Sequence, residues 1–376
     1  DVFDLILAQI RSKRETSGDF RAQIAANRAG SRRLIELIER HGIEEINRYI
    51  DALVDYTERR TRAEMAKLPH GKYIAEGSVD NDGFTQERVK LRSTIVIDQD
   101  GVLFDLNGCD PQRRAPVNST FAQTFSACAY ALRSLLDPDL PINHGFYKVV
   151  RVDAPKGTVV NCVHPAPVVG GWETHARLND VIFKALSQGM PDTVPAGTKA
   201  MQCHAGFGGI NPVTGEYYCF LETLAGGYGA RSMSDGPDAV QMHGQNTENA
   251  PIEETEFNYP VRIVRYELLP DSEGPGKHRG GLGLRRDYLF LDHDARFTVL
   301  ADRDKEGPWG LYGGDSGRKA SYIFSSGNNE TELGSKVTVD LKPGDMMSYR
   351  TCGGGGFGPA TERDPALVLV DVREGK

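Results

Sequence analysis

Between Glu222 and Glu254 the chain gathers most of the residue types used in acid–base and anion chemistry. The stretch holds Glu222, the pair Gly226-Gly227, Arg231, His243, Asn246-Thr247-Glu248-Asn249 and Glu253-Glu254. Glycines let backbone amides approach a ligand closely. An arginine can clamp an anion with two parallel hydrogen bonds. A histidine can serve as acid, base or ligand near neutrality, and a glutamate can act as general base. This makes Glu222, Arg231, His243, Asn246 and Glu253 the catalytic candidates. Gly226, Gly227, Thr247 and Asn249 are the substrate-binding candidates. Each has a plainer reading: a tight strand connection for Gly226-Gly227, a structural role for His243, and a turn or helix cap for Asn246–Asn249. The functional reading rests on their concentration in one short stretch.

Other motifs carry less chemistry. Gly274-x-Gly276-x-x-x-Gly280-Gly281-x-Gly283 lacks the G-K-[ST] ending and the strand–helix setting of a phosphate loop. Gly353–Gly356 follows a strand, and the favoured reading is that two backbones cross there. The turns Asp80-Asn81-Asp82-Gly83 and Asp98-Gln99-Asp100-Gly101 lack the later glutamate of a calcium loop and read as turn chemistry. His164, His175 and His204 have no metal-ligand spacing, so no metal ligand is assigned to this chain. No G-x-S-x-G elbow occurs.

The elements that must position these residues change along the chain. Helical periodicity covers 1–68, with Gly42 ending one helix before the next. Asp1 to Ile10 already reads as helix, as in a piece of a longer chain. Ser93–Ile97 and Val102–Leu106 form a hairpin, and helices are expected over Phe121–Leu136 and Glu173–Leu186. Short strands and glycine turns fill 199–290, further strands include Lys336–Leu341 and Met346–Tyr349, and a short helix ends the chain. This predicts an α/β fold of the α+β type with mainly antiparallel sheets, because no regular βαβ alternation appears. The expected divisions are a helical segment over 1–70, a mixed α/β body over 71–270 and a β-rich region over 271–376.

Composition sets outer bounds. The 376 residues are 39% hydrophobic and 26% charged, which excludes a disordered chain. A net charge of -8 argues against nucleic acid or an anionic membrane as partner. No apolar run is long enough to span a bilayer. The six cysteines are irregularly spaced and read as reduced cytoplasmic thiols.

Longer stretches carry a resemblance. Asp19–Arg28, Gly226–Arg231, Asn246–Glu253, Arg265–Ser272, Arg279–Gly283, Pro308–Leu311 and Gly353–Gly356 together resemble the hydantoinase B/oxoprolinase family across essentially the whole chain. The resemblance implies the B-type subunit of an ATP-dependent, multi-subunit enzyme that opens a cyclic amide such as a hydantoin, oxoproline or lactam. A hydantoinase A-type partner would bind ATP and Mg and phosphorylate the carbonyl oxygen. A ketone carboxylase subunit of the acetone or acetophenone type is the alternative, and a structural, partner-docking half of such a complex is a third reading. The family's divalent metal is expected in an amino-terminal portion, on N-D-P-x-x-G-G-T-H and H-H-A-D-x-G-G motifs that do not occur here. That portion and the A-type subunit are therefore the partners expected in a hetero-oligomer.

Overall fold

The computed structural model describes residues 2–10 and 12–376. Asp1, placed in the first helix by its pattern, lies outside the described residues. Helix α1 spans Val2–Ala8, α2 Lys13–His41 and α3 Ile43–Met65. Gly42 separates α2 from α3 as its sequence position suggests. Its φ of 82° is costly for a side-chain-bearing residue, and its N–H closes on Ile38 O at 2.7 Å. The apolar stripes on these helices are not core: Ile24, Leu34, Leu37, Ile50 and Leu53 are exposed, and the helical layer is anchored through the buried Thr57, Thr61 and Met65 of α3.

Two hydrophobic cores follow. In the first, β1 (Gly71–Val79), β2 (Val89–Asp98) and β3 (Gly101–Asp105) form an antiparallel meander. After α4 (Phe121–Arg133) and α5 (His144–Tyr147), β4 (Val150–Asp153) adds parallel to β3. The small residues of α4 let it pack closely on α6 (Gly171–Leu186), which lies across β1 and β2. A capping box between Thr120 and Gln123 fixes the start of α4. This core draws only on residues between Met65 and Val194.

The second core is β-rich. It is built from β5 (His204–Ile210), β6 (Tyr217–Thr223), α7 (Ile252–Asn258), β7 (Val261–Leu269), β8 (Gly283–Phe290), β9 (Ala295–Leu300), β10 (Ser321–Ser326), β11 (Asn329–Leu333), β12 (Lys336–Leu341) and β13 (Met346–Arg350). They form antiparallel sheets of order β12-β9-β5-β6 and β11-β10-β13-β8-β7. Their inner faces meet through aromatic rings. Phe207 stacks on Phe297 at 5.8 Å between centroids, and Phe297 reaches Tyr349 of the facing sheet at 6.0 Å. Helix α8 (Pro365–Glu374) ends the chain. The architecture is the mixed, mainly antiparallel α/β fold that the strand pattern predicts.

Buried charges tie the cores together. Arg177 of α6 donates from Nε to Ser78 O at 2.8 Å and lies 3.2 Å from Asp302. Lys336 Nζ sits 3.1 Å from the other oxygen of Asp302, which also accepts the Asp80 N–H at 2.9 Å. Asp180 accepts from Arg303 at 2.8 Å and from the Trp309 indole at 3.0 Å. Burial would raise the Asp302 carboxyl, but Lys336 and Arg177 outweigh it and hold the group below the usual range. Burial and the neighbouring Asp302 push Asp80 up. The turn reading of Asp80–Gly83 holds for Asn81 and Asp82, whose side chains accept the N–H groups of Gly83 and Phe84, both at 2.9 Å. It misses that Asp80 is a fully buried charge.

Candidate functional site

The site forms where β6 runs out. After Thr223 the chain passes Gly226, which exchanges backbone hydrogen bonds with Val240 at 3.1 and 2.9 Å. This pairing puts Gln241 beside the end of β6, and the loop that follows carries Gln245 to Asn249. With Tyr266 of β7, these residues line a groove of about 490 Å³, which is within the size range of small-molecule sites. Its walls are chiefly amides, hydroxyls and small apolar groups from Ala225, Ala239 and Val240, with Glu248 the one charged side chain.

Two buried charges lie directly beneath. Lys199 is fully buried, and its Nζ donates to Leu224 O and, at 2.8 Å, to Gln241 Oε1. Burial lowers its pKa to about 8. A Cβ on Gly226 would meet the Lys199 stem at 3.0 and 3.1 Å, so glycine gives the lysine room to lie against this backbone. Glu222 is the second charge. It accepts from Asn249 Nδ2 at 2.7 Å and from the Tyr288 hydroxyl, and Arg286 Nε lies 3.0 Å away. Arg286 is fully buried and lies 4.4 Å from the Tyr266 ring centroid, a desolvated cation–π contact.

The structure therefore brings together part of the set expected from the sequence. Asn246, Thr247 and Asn249 line the groove, Glu222 lies under it and Gly226 shapes its floor. Arg231, His243 and Glu253 do not line it. Arg231 is exposed, with its guanidinium 5.9 Å from the Tyr228 ring. His243 is buried 4.3 Å from Phe183, with Nδ1 3.0 Å from the Tyr228 hydroxyl. Burial lowers its pKa to about 4, so it is neutral at pH 7. Glu253 is exposed in the first turn of α7. Gly227 belongs to a backbone crossing with Gly281, Gly353 and Gly354, and the crossing read for Gly353–Gly356 is present.

Gln241, Gln245, Tyr266, Lys199 and Arg286 complete the arrangement and went unread in the sequence. Both glutamines stand inside the cluster, but an uncharged amide offers no chemistry until its partners are known. Lys199 and Arg286 carried no local signal.

Among the described residues, Asp80, Asp302 and Asp304 form the one group of carboxylate, imidazole and thiol ligands close enough to hold a cation. It does not fit a divalent metal. Arg177 and Lys336 sit 3.2 and 3.1 Å from Asp302 and already compensate its charge. His175 and His204 do not take part in such a group, and burial lowers both to about 4.

Behind the groove, Glu173 of α6 accepts the Gln202 N–H with both oxygens, at 3.2 and 3.0 Å, and so fixes the segment after Lys199. Burial raises its pKa from 4.5 to about 8. The folded state then holds a proton that the unfolded chain releases above pH 4.5. The stabilisation is complete below 4.5 and is lost as pH rises through 8, with a slope of up to about 1.4 kcal/mol per pH unit. Glu173→Gln should flatten this limb. Urea midpoints of both forms measured from pH 5 to 8.5 check it, and parallel slopes would contradict it.

The comparisons with known proteins extend this geometry. The family model described as hydantoinase B/oxoprolinase matches residues 1–360. The B-type subunit of a putative D-/L-hydantoinase from Pseudomonas sp. (strain NS671) is 36% identical over 390 aligned positions, which cover 100% of this chain and 65% of that protein. The crystal structure of the ATP-dependent caprolactamase from Pseudomonas jessenii superposes with a TM-score of 0.87 at 27% identity, covering 100% of this chain and 66% of the other. An acetone carboxylase in its nucleotide-free form gives 0.88 at 19% identity, over 99% of this chain and 56% of the other, a likeness of fold alone. The chain thus spans about two thirds of the length of the hydantoinase and caprolactamase relatives.

Proposed function

Since the chain belongs to the hydantoinase B/oxoprolinase family, we propose that it serves in the B-type subunit of an ATP-dependent enzyme that opens a cyclic amide. A hydantoinase A-type partner supplies the ATP and Mg, and the remainder of the B-type subunit supplies the divalent metal. The observation that carries this reading is the alignment of the whole chain with the B-type subunit of a hydantoinase. The groove, lined mainly by amides with Glu248 as its one charged residue, supports it, because a ring with one polar edge suits such walls.

The chemistry has a simple logic. An amide resists water because its nitrogen is a poor leaving group and its carbon is weakly electrophilic. Phosphoryl transfer from ATP to the amide oxygen gives an imidoyl phosphate. Water adds at the carbon, the ring C–N bond breaks with a proton moving to nitrogen, and an acyl phosphate remains. A second water releases phosphate and the open-chain acid. The groove's part is to hold the ring edge and keep bulk water from the activated carbon.

Co-expression with an A-type partner tests the proposal. ADP release should depend on a hydantoin, oxoproline or lactam, match ring opening one to one and need no bicarbonate. ADP release that requires bicarbonate together with a ketone would replace the hydrolase by a carboxylase.

A further inference from the structure

We infer that the groove recognises the cis edge of a ring amide, with Gln241 donating to its carbonyl oxygen and Asn249 accepting from its N–H. We infer too that the buried Lys199 and Glu222 are positioning residues that fix these two amides in opposite senses. The inference rests on the cyclic-amide reading above and deepens it.

The orientation follows from donor and acceptor chemistry. An ammonium has only hydrogens to offer, so Gln241 must turn Oε1 down to Lys199, and the contact is 2.8 Å. Its Nε2 is then free to donate, held only by a long 3.5 Å contact to Thr223 O. A carboxylate has only lone pairs to offer, so Asn249 must turn Nδ2 down to Glu222 at 2.7 Å. Its Oδ1 is then left to accept, and the Tyr266 hydroxyl donates to it at 3.3 Å. Asn249 Nδ2 also reaches Thr223 O at 2.9 Å, so the two amides converge on a single carbonyl and stand side by side. A buried cation under one and a buried anion under the other make the first present a donor and the second an acceptor.

The ligand that matches this pair carries an acceptor and a donor on one edge. An open-chain secondary amide is trans, so its N–H and C=O point to opposite sides. A small lactam or hydantoin ring is held cis, and its N–H and C=O share an edge. Fixed polarity at both amides therefore selects ring amides over linear ones and N–H rings over N-substituted ones. Wrong partners would leave a polar group unpaired in a half-buried site, where the loss is largest.

The test uses the assembled complex without ATP, with ligand-observed NMR titrations of 2-pyrrolidone, N-methyl-2-pyrrolidone and linear N-methylacetamide. The unaltered protein should bind 2-pyrrolidone at least about tenfold more tightly than either of the others. Gln241→Glu keeps the shape and the bond to Lys199 but turns the remaining donor into an acceptor, and should weaken 2-pyrrolidone binding about tenfold or more. Asn249→Leu should erase the preference for 2-pyrrolidone over its N-methyl analogue. Melting curves establish that each variant is folded, and Gln241→Glu, an isosteric change, carries the test if Asn249→Leu is not. Equal binding of the three probes, no binding of either pyrrolidone, or a folded Gln241→Glu with undiminished affinity overturns the inference. Persistence of the preference in a complex that turns over no cyclic amide would remove the hydrolase reading instead and leave the recognition standing. Turnover with unaltered KM in a folded Gln241→Glu would do the reverse.

Discussion

Arg177→Met is expected to lower the stability of the chain by about 3–5 kcal/mol, read as a shift in the urea midpoint. Arg177 is the cation around which Asp80, Asp180 and Asp302 are arranged, at 3.9, 3.8 and 3.2 Å. All of these groups are buried. Methionine fills much of the volume but leaves these carboxylates short of one positive charge where water cannot replace it. Asp302 keeps Lys336 and Asp180 keeps Arg303, whereas Asp80 keeps only backbone donors and more distant cations. Asp80, already pushed up by burial, should then take up a proton more readily. The matching control is the surface pair Arg296–Asp340, closer still at 2.8 Å but about 70% exposed on both sides. Breaking it should cost no more than about 1 kcal/mol. Similar losses at the two sites would show that the buried network does not join the cores.

Gly354→Ala is expected to be at least as damaging, with a loss of about 3 kcal/mol or more, or failure to accumulate folded protein. Gly354 donates to Gly281 O at 2.8 Å, and a Cβ there would collide with the carbonyl of Tyr228. The obstacle is backbone, itself held by hydrogen bonds, so no rotamer change relieves it. Gly30→Ala in α2 is the counterpart: nothing lies within 4 Å of its Cβ, and alanine should stabilise the helix by about 0.5–1 kcal/mol. Thermal melts of the two variants should move in opposite directions. A Gly354→Ala protein that melts like the parent would refute the crossing.

Several of these features were legible from sequence. The break at Gly42 and the hairpin about Asp98–Gly101 are local, because the residues that make them are neighbours, and the structure places both where the pattern does. Strands β12 and β13 are read to within a residue of their bounds. The cluster at 222–254 did contain the groove wall, since Asn246, Thr247 and Asn249 sit on one loop. What the sequence could not display was the second half of each interaction. Glu222 acquires its meaning from Tyr288 and Arg286 on the facing sheet, and Gln241 from Lys199, pairs that are far apart in sequence and meet only once the fold has closed. Buried charge was equally hidden. Arg177 and Asp180 look like the solvent face of an amphipathic helix until both sides of α6 are seen to be covered.

The glycine crossing also sets a timetable for folding. The first core draws only on residues 65–194 and can condense as soon as that segment has left the ribosome. The glycine crossing cannot, because Gly355 N bonds Gly197 O and Ala230 N bonds Gly355 O, both across more than a hundred residues. The backbone groups of Gly197 and Ala230 must therefore wait until the chain has been made to beyond 355, although β5 can pair with β6 and β9 before then. Contacts of such separation are slow to form and leave intermediates open to aggregation. Chains truncated before Gly353 should keep the first core but never set the crossing, and chaperone dependence should concentrate in the interval between the two events.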